Sequence, residues 1–389
     1  MGTDVSDDAG VMIGKGRLER LSPSAARLAL AALLLVLLAS LIAPTMKPGT
    51  RSPWEGAVEG PVDRAGASLS DATKPYDEDI ALYEVATERI RKGEHYYDFI
   101  VPEQRSRHYP VNPGLAVRLP TLAYINAALG EGGQMAAAIA LMLAIVAAWW
   151  RRLGEEPEDR GRVQRLGTAF VFVAASLGLN RHYFPLHELW AGGLIALSFA
   201  LHRPEGGGRE GAWRGAFVAA ALALAIRELA LPYVLLMAAF AVWRRSWYEA
   251  AAWILLTLVF LAGLAWHLTI IAREVVPSDP HGPPWLVMRG MAGWLVNVVQ
   301  SSNLRWLPPF LAGPAVVLMT FGWLGWRSPS GLVGFLLGAG YGLAFMIAGR
   351  WDNFYWGAMI APTLFVGLVF APRALRQLAL RARMKPAPN

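Results

Sequence analysis

Long apolar runs separated by short polar blocks make up most of this chain. The first run, residues 26–46, is long enough to cross a bilayer as one helix. Further runs follow towards the end of the chain, at 134–150, 166–179, 189–202, 216–243, 250–271, 307–325, 331–348 and 356–371. The pattern predicts an all-α polytopic membrane protein, a bundle of about ten transmembrane helices with a long first external loop.

Composition agrees with this prediction and excludes several classes of chemistry. Of 389 residues, 55% are hydrophobic and only 17% are charged, whereas soluble domains carry about 25% charged residues. The chain contains no cysteine, so disulfides, thiolate catalysis and cysteine-based metal sites are excluded. It has neither a Walker motif nor a G-x-G-x-x-G fingerprint, which leaves ATP-driven transport and nucleotide-sugar chemistry unsupported.

Basic residues predict the orientation of the chain in the membrane. The net charge of +7 comes from short blocks between apolar runs, such as Arg151-Arg152 and Arg244-Arg245. Such blocks are typical of cytoplasmic loops rather than of nucleic-acid binding. We therefore expect cytoplasmic tails at 1–25 and 372–389 around a membrane domain at 26–371. A cleaved signal peptide is the alternative for the first run, but that run ends without a clean cleavage site.

The polar segment at 47–133, the expected first external loop, contains three adjacent carboxylates. Asp77, Glu78 and Asp79 precede apolar positions three or four residues apart, which predict a short amphipathic helix from Ile80 with Gly93 as its stop. A carboxylate cluster is costly in lipid, so it should lie at the interface or in water. At the N-terminus of a helix, these carboxylates could serve only as caps or could carry chemistry.

Two other apolar segments are expected to lie on the membrane surface. Residues 114–129 are short and contain Arg118 and Pro120, which disfavour a span there. Residues 285–306 are amphipathic and lie next to a Pro-rich segment. Both segments are therefore predicted to be interfacial.

The most informative interruption lies in the run 216–243, which is apolar except for Arg227 and Glu228. As one helix, this run would bury an ion pair near the middle of the bilayer. As two half-length spans, it would place both charges on the external face and keep Arg244 and Arg245 inside. We expect the second arrangement.

On this topology, one face of the protein collects charged and aromatic side chains. Its members are Asp77, Glu78, Asp79, His95, Asp98, His108, Tyr109, Arg181, His182, His187, Glu188, Arg227, Glu228, Asp279, His281, Arg350, Asp352 and Asn353. Arginine presents a fork of donors that matches phosphate oxygens, and a nearby carboxylate can deprotonate a hydroxyl. The combination fits sugar transfer from a lipid-phosphate donor.

Short motifs in the first loop resemble those of a known superfamily. The chain reads Asp79-x-x-x-Tyr83, then Gly93 and Tyr96-Tyr97-Asp98, then Tyr109-Pro-Val-Asn-Pro113. This order is similar to the first external loop of the GT-C glycosyltransferases. The resemblance is closest to the polyprenyl-phosphate-mannose-dependent mannosyltransferases and looser to the aminoarabinose transferases.

The resemblance implies a site. An acidic residue just after the first membrane helix would be the catalytic base, here Asp79, with Asp77 or Glu78 as alternatives. Arg227 resembles the basic position at which that family meets donor phosphate, and Arg350 resembles its late external arginine. Arg227 could instead be an anchor paired with Glu228, and Arg350 a snorkelling residue. The remaining expected substrate-binding residues are Glu228, Asn353, Tyr355, Tyr83, Tyr109, Arg181 and His182.

The expected function follows from this resemblance. The protein would be a glycosyltransferase of the inner cell membrane with its active site on the external, periplasmic face. Its partners would be a polyprenyl-phosphate sugar donor, a glycan, lipid or protein acceptor and membrane lipids, with no nucleic acid and no cofactor. A divalent metal at Asp77 and Asp79 is an alternative that lacks a clear third ligand. A transporter or flippase that uses the same charges without chemistry is the second hypothesis, and an inactive scaffold is the third.

Overall fold

The computed structural model describes residues 16–48, 74–157, 159–204, 213–279 and 281–384, apart from the side chains of residues 74–78. These residues form thirteen α-helices joined by loops and short 3₁₀ turns. The helices are α1 (Pro23–Ile42), α2 (Lys74–Arg91), α3 (Tyr96–Ser106), α4 (Thr121–Leu153), α5 (Arg160–Ala175), α6 (His187–Leu201), α7 (Arg214–Ile226), α8 (Leu231–Trp243), α9 (Trp247–Glu274), α10 (Gly290–Gln300), α11 (Pro309–Gly322), α12 (Pro329–Ile347) and α13 (Ala361–Arg383). The prediction of an all-α fold is confirmed for the described residues, which contain no β-strand.

Five helical segments have the length and composition needed to cross a membrane. They are Pro23–Ile42, Gly114–Leu153, Trp247–Glu274, Pro329–Ile347 and Ala361–Arg383. Four shorter apolar segments accompany them, at His187–Leu201, Arg214–Ile226, Glu228–Trp243 and Pro309–Gly325. Large apolar side chains are exposed along α1 and α9, which agrees with a membrane-embedded helical protein. The number of spans stays a prediction.

Helix α2 begins earlier than the sequence pattern predicted. It starts at Lys74 rather than at Ile80, because Pro75 is compatible with a first helical turn. Asp79 therefore lies inside the helix, where its carboxylate does not cap the N-terminus. The predicted stop at Gly93 is confirmed, since this residue has a φ of +93° that suits glycine.

Two further helix boundaries differ from the prediction. Residues 121–129 of the apolar segment predicted at 114–129 and the run 134–150 both belong to α4, which is kinked at Gly130 with a φ of 63°. At the other end of the chain, α13 continues past the expected boundary at 371 to Arg383. The extension remains helical because it is amphipathic, with basic residues on its polar side.

Helices α7 and α8 form a hairpin that reverses at Arg227. The backbone of Arg227 is extended, with φ −146° and ψ 119°, and it lies beside Glu188 at the start of α6. Near the end of α8, the Phe240 ring lies 5.8 Å from the ring of His202, which follows α6. The chain therefore turns back at Arg227, and the helix break predicted from Arg227 and Glu228 is correct.

The two ends of the bundle differ in charge. Glu188, Arg227 and the end of α12 lie at one end, which we call the cavity end. Arginines collect at the opposite, basic end, where they contact carboxylates, hydroxyls and backbone carbonyls; they are Arg17, Arg152, Arg203, Arg244, Arg327 and Arg373. This separation agrees with the charge asymmetry read from the sequence.

A second, smaller hydrophobic core attaches α2 and α3 to the cavity end. Leu82 and Ala86 of α2 pack with Phe99 and Ile100 of α3 and with Val117 ahead of α4. The main core fills the helix bundle itself. Because apolar side chains fix the rotation of α2, the polar residues between them have fixed directions as well.

Candidate active site

Asp79 lies on the face of α2 that is turned towards the bundle. Tyr83 follows it one turn later and therefore shares this face. The hydroxyl of Tyr355 donates a hydrogen bond to Asp79 Oδ2 at 3.2 Å, and Tyr109 forms a second hydrogen bond with this carboxyl group. Two segments that are distant in sequence therefore converge on Asp79, the carboxylate that the short motifs predict as the base.

Arg118 lies beside Tyr83 and Asp79. It was not among the predicted site residues. Its Nε donates to the Tyr83 hydroxyl at 3.0 Å. Its backbone is held in place because Tyr96 Oη donates to Arg118 O at 2.7 Å and His267 Nε2 lies 3.2 Å from Val117 O. The sequence does contain a signal for this residue, because Arg118 is the single charge within a short apolar segment. That charge alone, however, indicates only that the segment does not cross the membrane.

Arg350 and its neighbours enter the site from the opposite side. They belong to the turn between α12 and α13, in which residues Trp351–Met359 are 3₁₀-helical. Asn353 Oδ1 accepts from the Arg350 amide at 3.0 Å, and Asn353 Nδ2 donates to Tyr355 Oη at 3.3 Å. Because Tyr355 also contacts Asp79, these bonds connect Arg350 to the carboxylate.

A cavity of about 240 Å³ lies between α2 and this turn. Six of the predicted site residues line it, namely Asp79, Tyr83, Tyr109, Arg350, Asn353 and Tyr355. Arg107, Arg118, Trp285 and Trp356 line it too, although they were not among the predicted residues. The cavity therefore combines a carboxylate, arginines and large aromatic rings, which can contact a sugar or a lipid headgroup.

Burial sets the protonation chemistry of the cavity. It raises the pKa of Asp79 above the ordinary value of 3.8, while the Arg118 charge and hydrogen bonds from Tyr109 and Tyr355 oppose the rise. Burial also raises the pKa of Tyr83 to about 12, so this phenol stays protonated at neutral pH. Asp79 is thus a stronger base than an exposed aspartate.

Ion pairs cancel some of the charges around the cavity. Arg107 Nε lies 2.8 Å from Glu103 Oε1, and Asp352 Oδ1 accepts from Lys47 Nζ at 2.8 Å. Among the lining residues that the structure describes, this leaves Arg118 and Arg350 facing the single carboxylate of Asp79. The surplus of positive charge favours a ligand with one negative charge, such as a phosphodiester.

Arg227 and Glu228 lie behind the cavity and do not line it. Arg227 is fully buried, with its Nε 2.7 Å from Glu188 Oε1, and it also forms an ion pair with Glu228. Next to Glu188, the His187 ring lies 4.9 Å from the Tyr83 ring. The prediction that Arg227 shares a cavity with Asp79 is therefore not met, because two carboxylates hold its charge one layer deeper.

Arg181 and His182 lie apart from the Asp79 cavity. Arg181 Nη2 lies 2.6 Å from Glu131 Oε2, and both side chains are exposed. Arg181 borders a second, polar cavity of about 340 Å³ on another face of α2, together with Glu84. The His182 ring contacts Tyr183 at a centroid distance of 5.2 Å. The structure therefore does not bring these two candidates together with Asp79.

Asp77 and Glu78 belong to the first turns of α2, but their side chains lie outside the described part of the structure. Their roles as alternative bases, and that of Asp77 as a metal ligand beside Asp79, stay predictions. Within the described residues, no group of three or more His, Asp or Glu side chains is arranged to hold a metal ion.

No family model, curated protein or solved structure matches this chain. The likeness to GT-C enzymes therefore depends on the short motifs alone. The function has to be inferred from the cavity, and chiefly from the arrangement of Asp79, Arg118 and Arg350.

Proposed function

We propose that the protein is a GT-C-type glycosyltransferase that moves a sugar from a polyprenyl-phosphate donor to an acceptor hydroxyl. One observation carries the proposal: a half-buried carboxylate, Asp79, faces Arg118 and Arg350 in a cavity at one end of an apolar helix bundle. A base and a phosphate-binding cation at the edge of a hydrocarbon phase are what a lipid-phosphate donor requires.

The reaction would be a single in-line displacement. Asp79 takes the proton of the acceptor hydroxyl, whose oxygen attacks the anomeric carbon of the donor. The bond between that carbon and the phosphate oxygen breaks, and its electron pair leaves with the polyprenyl phosphate. Arg118 and Arg350 stabilise the charge that develops on this leaving group. One displacement inverts the anomeric centre.

Arg118, rather than Arg227, is assigned to the donor phosphate. Arg118 lines the cavity and contacts Tyr83, one helical turn from Asp79. Arg227 is already matched by Glu188 and Glu228, so contact with a phosphate would require one of these pairs to break. We assign to Arg227 a supporting role, in which it holds the α7–α8 hairpin against α6.

The cavity end is assigned to the external face of the membrane. Arginines at the opposite end would then face the cytoplasm, in agreement with the positive-inside rule. Helices α7 and α8 each have 13 residues and are about 20 Å long, which is less than the roughly 30 Å of a hydrocarbon core. Arg227 would therefore lie below the membrane surface, where its charge needs the two glutamates.

The test is a transfer assay in membranes that contain the purified protein. Polyprenyl phosphates that carry radiolabelled mannose, glucose, galactose or arabinose are incubated with cell-envelope extract as acceptor. Wild type should transfer label from one donor, and Asp79→Asn should lose about 10²-fold or more of the rate. Asp98→Asn is the matched control, because its carboxylate is 78% exposed on the neighbouring helix, outside the cavity. Equal transfer by wild type and Asp79→Asn would disprove the assignment of the base.

The same preparations test the second hypothesis. Proteoliposomes with fluorescent polyprenyl-phosphate lipid report movement between leaflets, whereas the transfer assay reports covalent product. Flipping without any covalent product would replace the glycosyltransferase by a lipid transporter. Product without flipping would support the enzyme.

A further inference from the structure

Arg289 is a buried cation that the proposed reaction does not use. It lies just ahead of α10 and is 7% exposed. Burial lowers the pKa of Arg289 to about 10, and no carboxylate in the described part of the chain opposes this shift; the side chain is still charged at neutral pH. A buried charge of this kind needs another source of stabilisation.

Carbonyl groups at the end of α12 stabilise this guanidinium. Nη2 donates to Phe345 O at 2.9 Å and to Ala348 O at 2.8 Å, and Nη1 donates to Arg350 O at 3.0 Å. Nη1 also donates to Asn297 Oδ1 of α10 at 3.0 Å. The last carbonyls of a helix lack partners within the helix and carry partial negative charge, which favours a cation there.

The turn at 348–350 approaches Arg289 closely enough to require glycine. Gly349 has a φ of +92°, and a Cβ atom there would lie 2.9 Å from Arg289 Nη2 and 3.0 Å from the Trp356 ring. The turn therefore packs directly between the guanidinium and an indole that lines the Asp79 cavity.

A continuous series of hydrogen bonds leads from this turn to the base. Arg289 holds Arg350 through its carbonyl, and the Arg350 amide donates to Asn353. Asn353 donates to Tyr355, whose hydroxyl donates to Asp79. We propose that Arg289 is a positioning residue that fixes the 348–350 turn, so that Arg350 faces the donor phosphate and Tyr355 faces the base. Its role in donor binding rests on the proposed function.

The first experiment tests the turn without any ligand. Because the chain has no cysteine, Asp352→Cys provides a single reactive site, on a side chain that is 47% exposed. Arg289→Met should raise the maleimide labelling rate of this cysteine several-fold, since the turn loses the hydrogen bonds that Arg289 donates to Ala348 O and Arg350 O. Arg273→Met is the matched control, an exposed arginine near the end of α9. An unchanged rate in Arg289→Met would overturn the inference, whatever reaction the protein catalyses.

The second experiment tests donor positioning. Binding of radiolabelled polyprenyl phosphate is measured by scintillation proximity in nanodiscs. Arg289→Met should weaken binding on the order of 10- to 100-fold, and Arg289→Lys should recover part of the affinity because it keeps the charge. Asn353→Ala removes the next link of the series while leaving Arg289 intact, and it should weaken binding as well. This variant also decides the question if Arg289→Met fails to fold.

The outcomes separate the two proposals. Faster labelling together with normal phosphate affinity would overturn the role of Arg289 in donor binding. If wild type itself binds no polyprenyl phosphate, the proposed function fails, while the labelling rate still decides whether Arg289 holds the turn. Faster labelling, weaker binding and recovery by lysine together would support the inference.

Discussion

Asp79 is under two opposing influences, and their balance determines the pH range in which it can act as a base. Burial raises the pKa of its carboxyl group and Glu188 adds to the rise, whereas Arg118, Tyr109 and Tyr355 lower it. The ionised form is the base, so activity should fall as pH decreases through this pKa.

Removal of Arg118 should therefore shift the acid limb of the pH profile. In Arg118→Met the pKa of Asp79 should rise further, so kcat/KM should begin to fall at a higher pH than in wild type. The KM for donor should also rise about 10- to 100-fold, because a charged hydrogen-bond donor to phosphate is lost. Profiles of kcat/KM against pH for wild type, Arg118→Met and Arg118→Lys measure both effects.

Arg181→Met is the control for this experiment. Arg181 lies outside the Asp79 cavity, so its loss should leave the acid limb in place. An acid limb that is the same in wild type and Arg118→Met would show that the Arg118 charge does not lower the pKa of the base. A shift of the acid limb in Arg181→Met would instead show that the second cavity, which Arg181 borders, belongs to the reaction.

At the scale of the elements, the α7–α8 hairpin depends on a buried cluster of charges. The exposed fractions of the Arg227 and Glu188 side chains are 1% and 2%. Burial of such a pair is costly, but removal of Glu188 should cost more, because the buried Arg227 charge would keep only its pair with Glu228. The hairpin should therefore be sensitive to the loss of Glu188.

Glu188→Gln should lower the free energy of unfolding by about 3 kcal/mol. The matched control is Glu131→Gln, which removes the same charge from an exposed pair with Arg181 and should change stability by less than about 0.5 kcal/mol. Both values are measured by chemical unfolding in detergent. Equal losses in the two variants would show that Arg227 does not depend on Glu188.

The same hairpin shows what the sequence could predict. Two charges in a long apolar run can be recognised locally, because hydrocarbon tolerates them only at a break or in a protein interior. That Glu188 would neutralise Arg227 was not visible, because it depends on how α6 packs against α7. Asp79 was selected from a short motif, but its partner Tyr355 lies 276 residues later in the chain.

At the scale of the whole molecule, helix content was predictable because apolar length is a local property. The location of Arg118 in the cavity was not predictable. The direction of its side chain depends on the smaller core around α2 and α3 and on the contact between His267 and Val117. Arg181 and His182, which lie outside the cavity, were placed on the expected external face by topology alone. Topology assigns a residue to one side of a membrane, but only packing assigns it to a cavity.

Orientation in the membrane is the property of the whole molecule on which the proposed function depends. Donor and acceptor can meet Asp79 from outside the cell only if the cavity end is external. The absence of native cysteine allows this to be tested with single substitutions. Asp98→Cys and Glu131→Cys report the cavity end, and Arg160→Cys reports the basic end, since all three side chains are exposed.

Because arginines concentrate at the basic end, that end should remain in the cytoplasm. A membrane-impermeant maleimide should label Asp98→Cys and Glu131→Cys in intact cells, and should label Arg160→Cys only after the membrane is permeabilised. The cysteine-free wild type gives the background for each reaction. The reverse pattern would place the Asp79 cavity in the cytoplasm, where a transferase that uses external acceptors could not work. Labelling of all three sites in intact cells would contradict the membrane-spanning bundle itself.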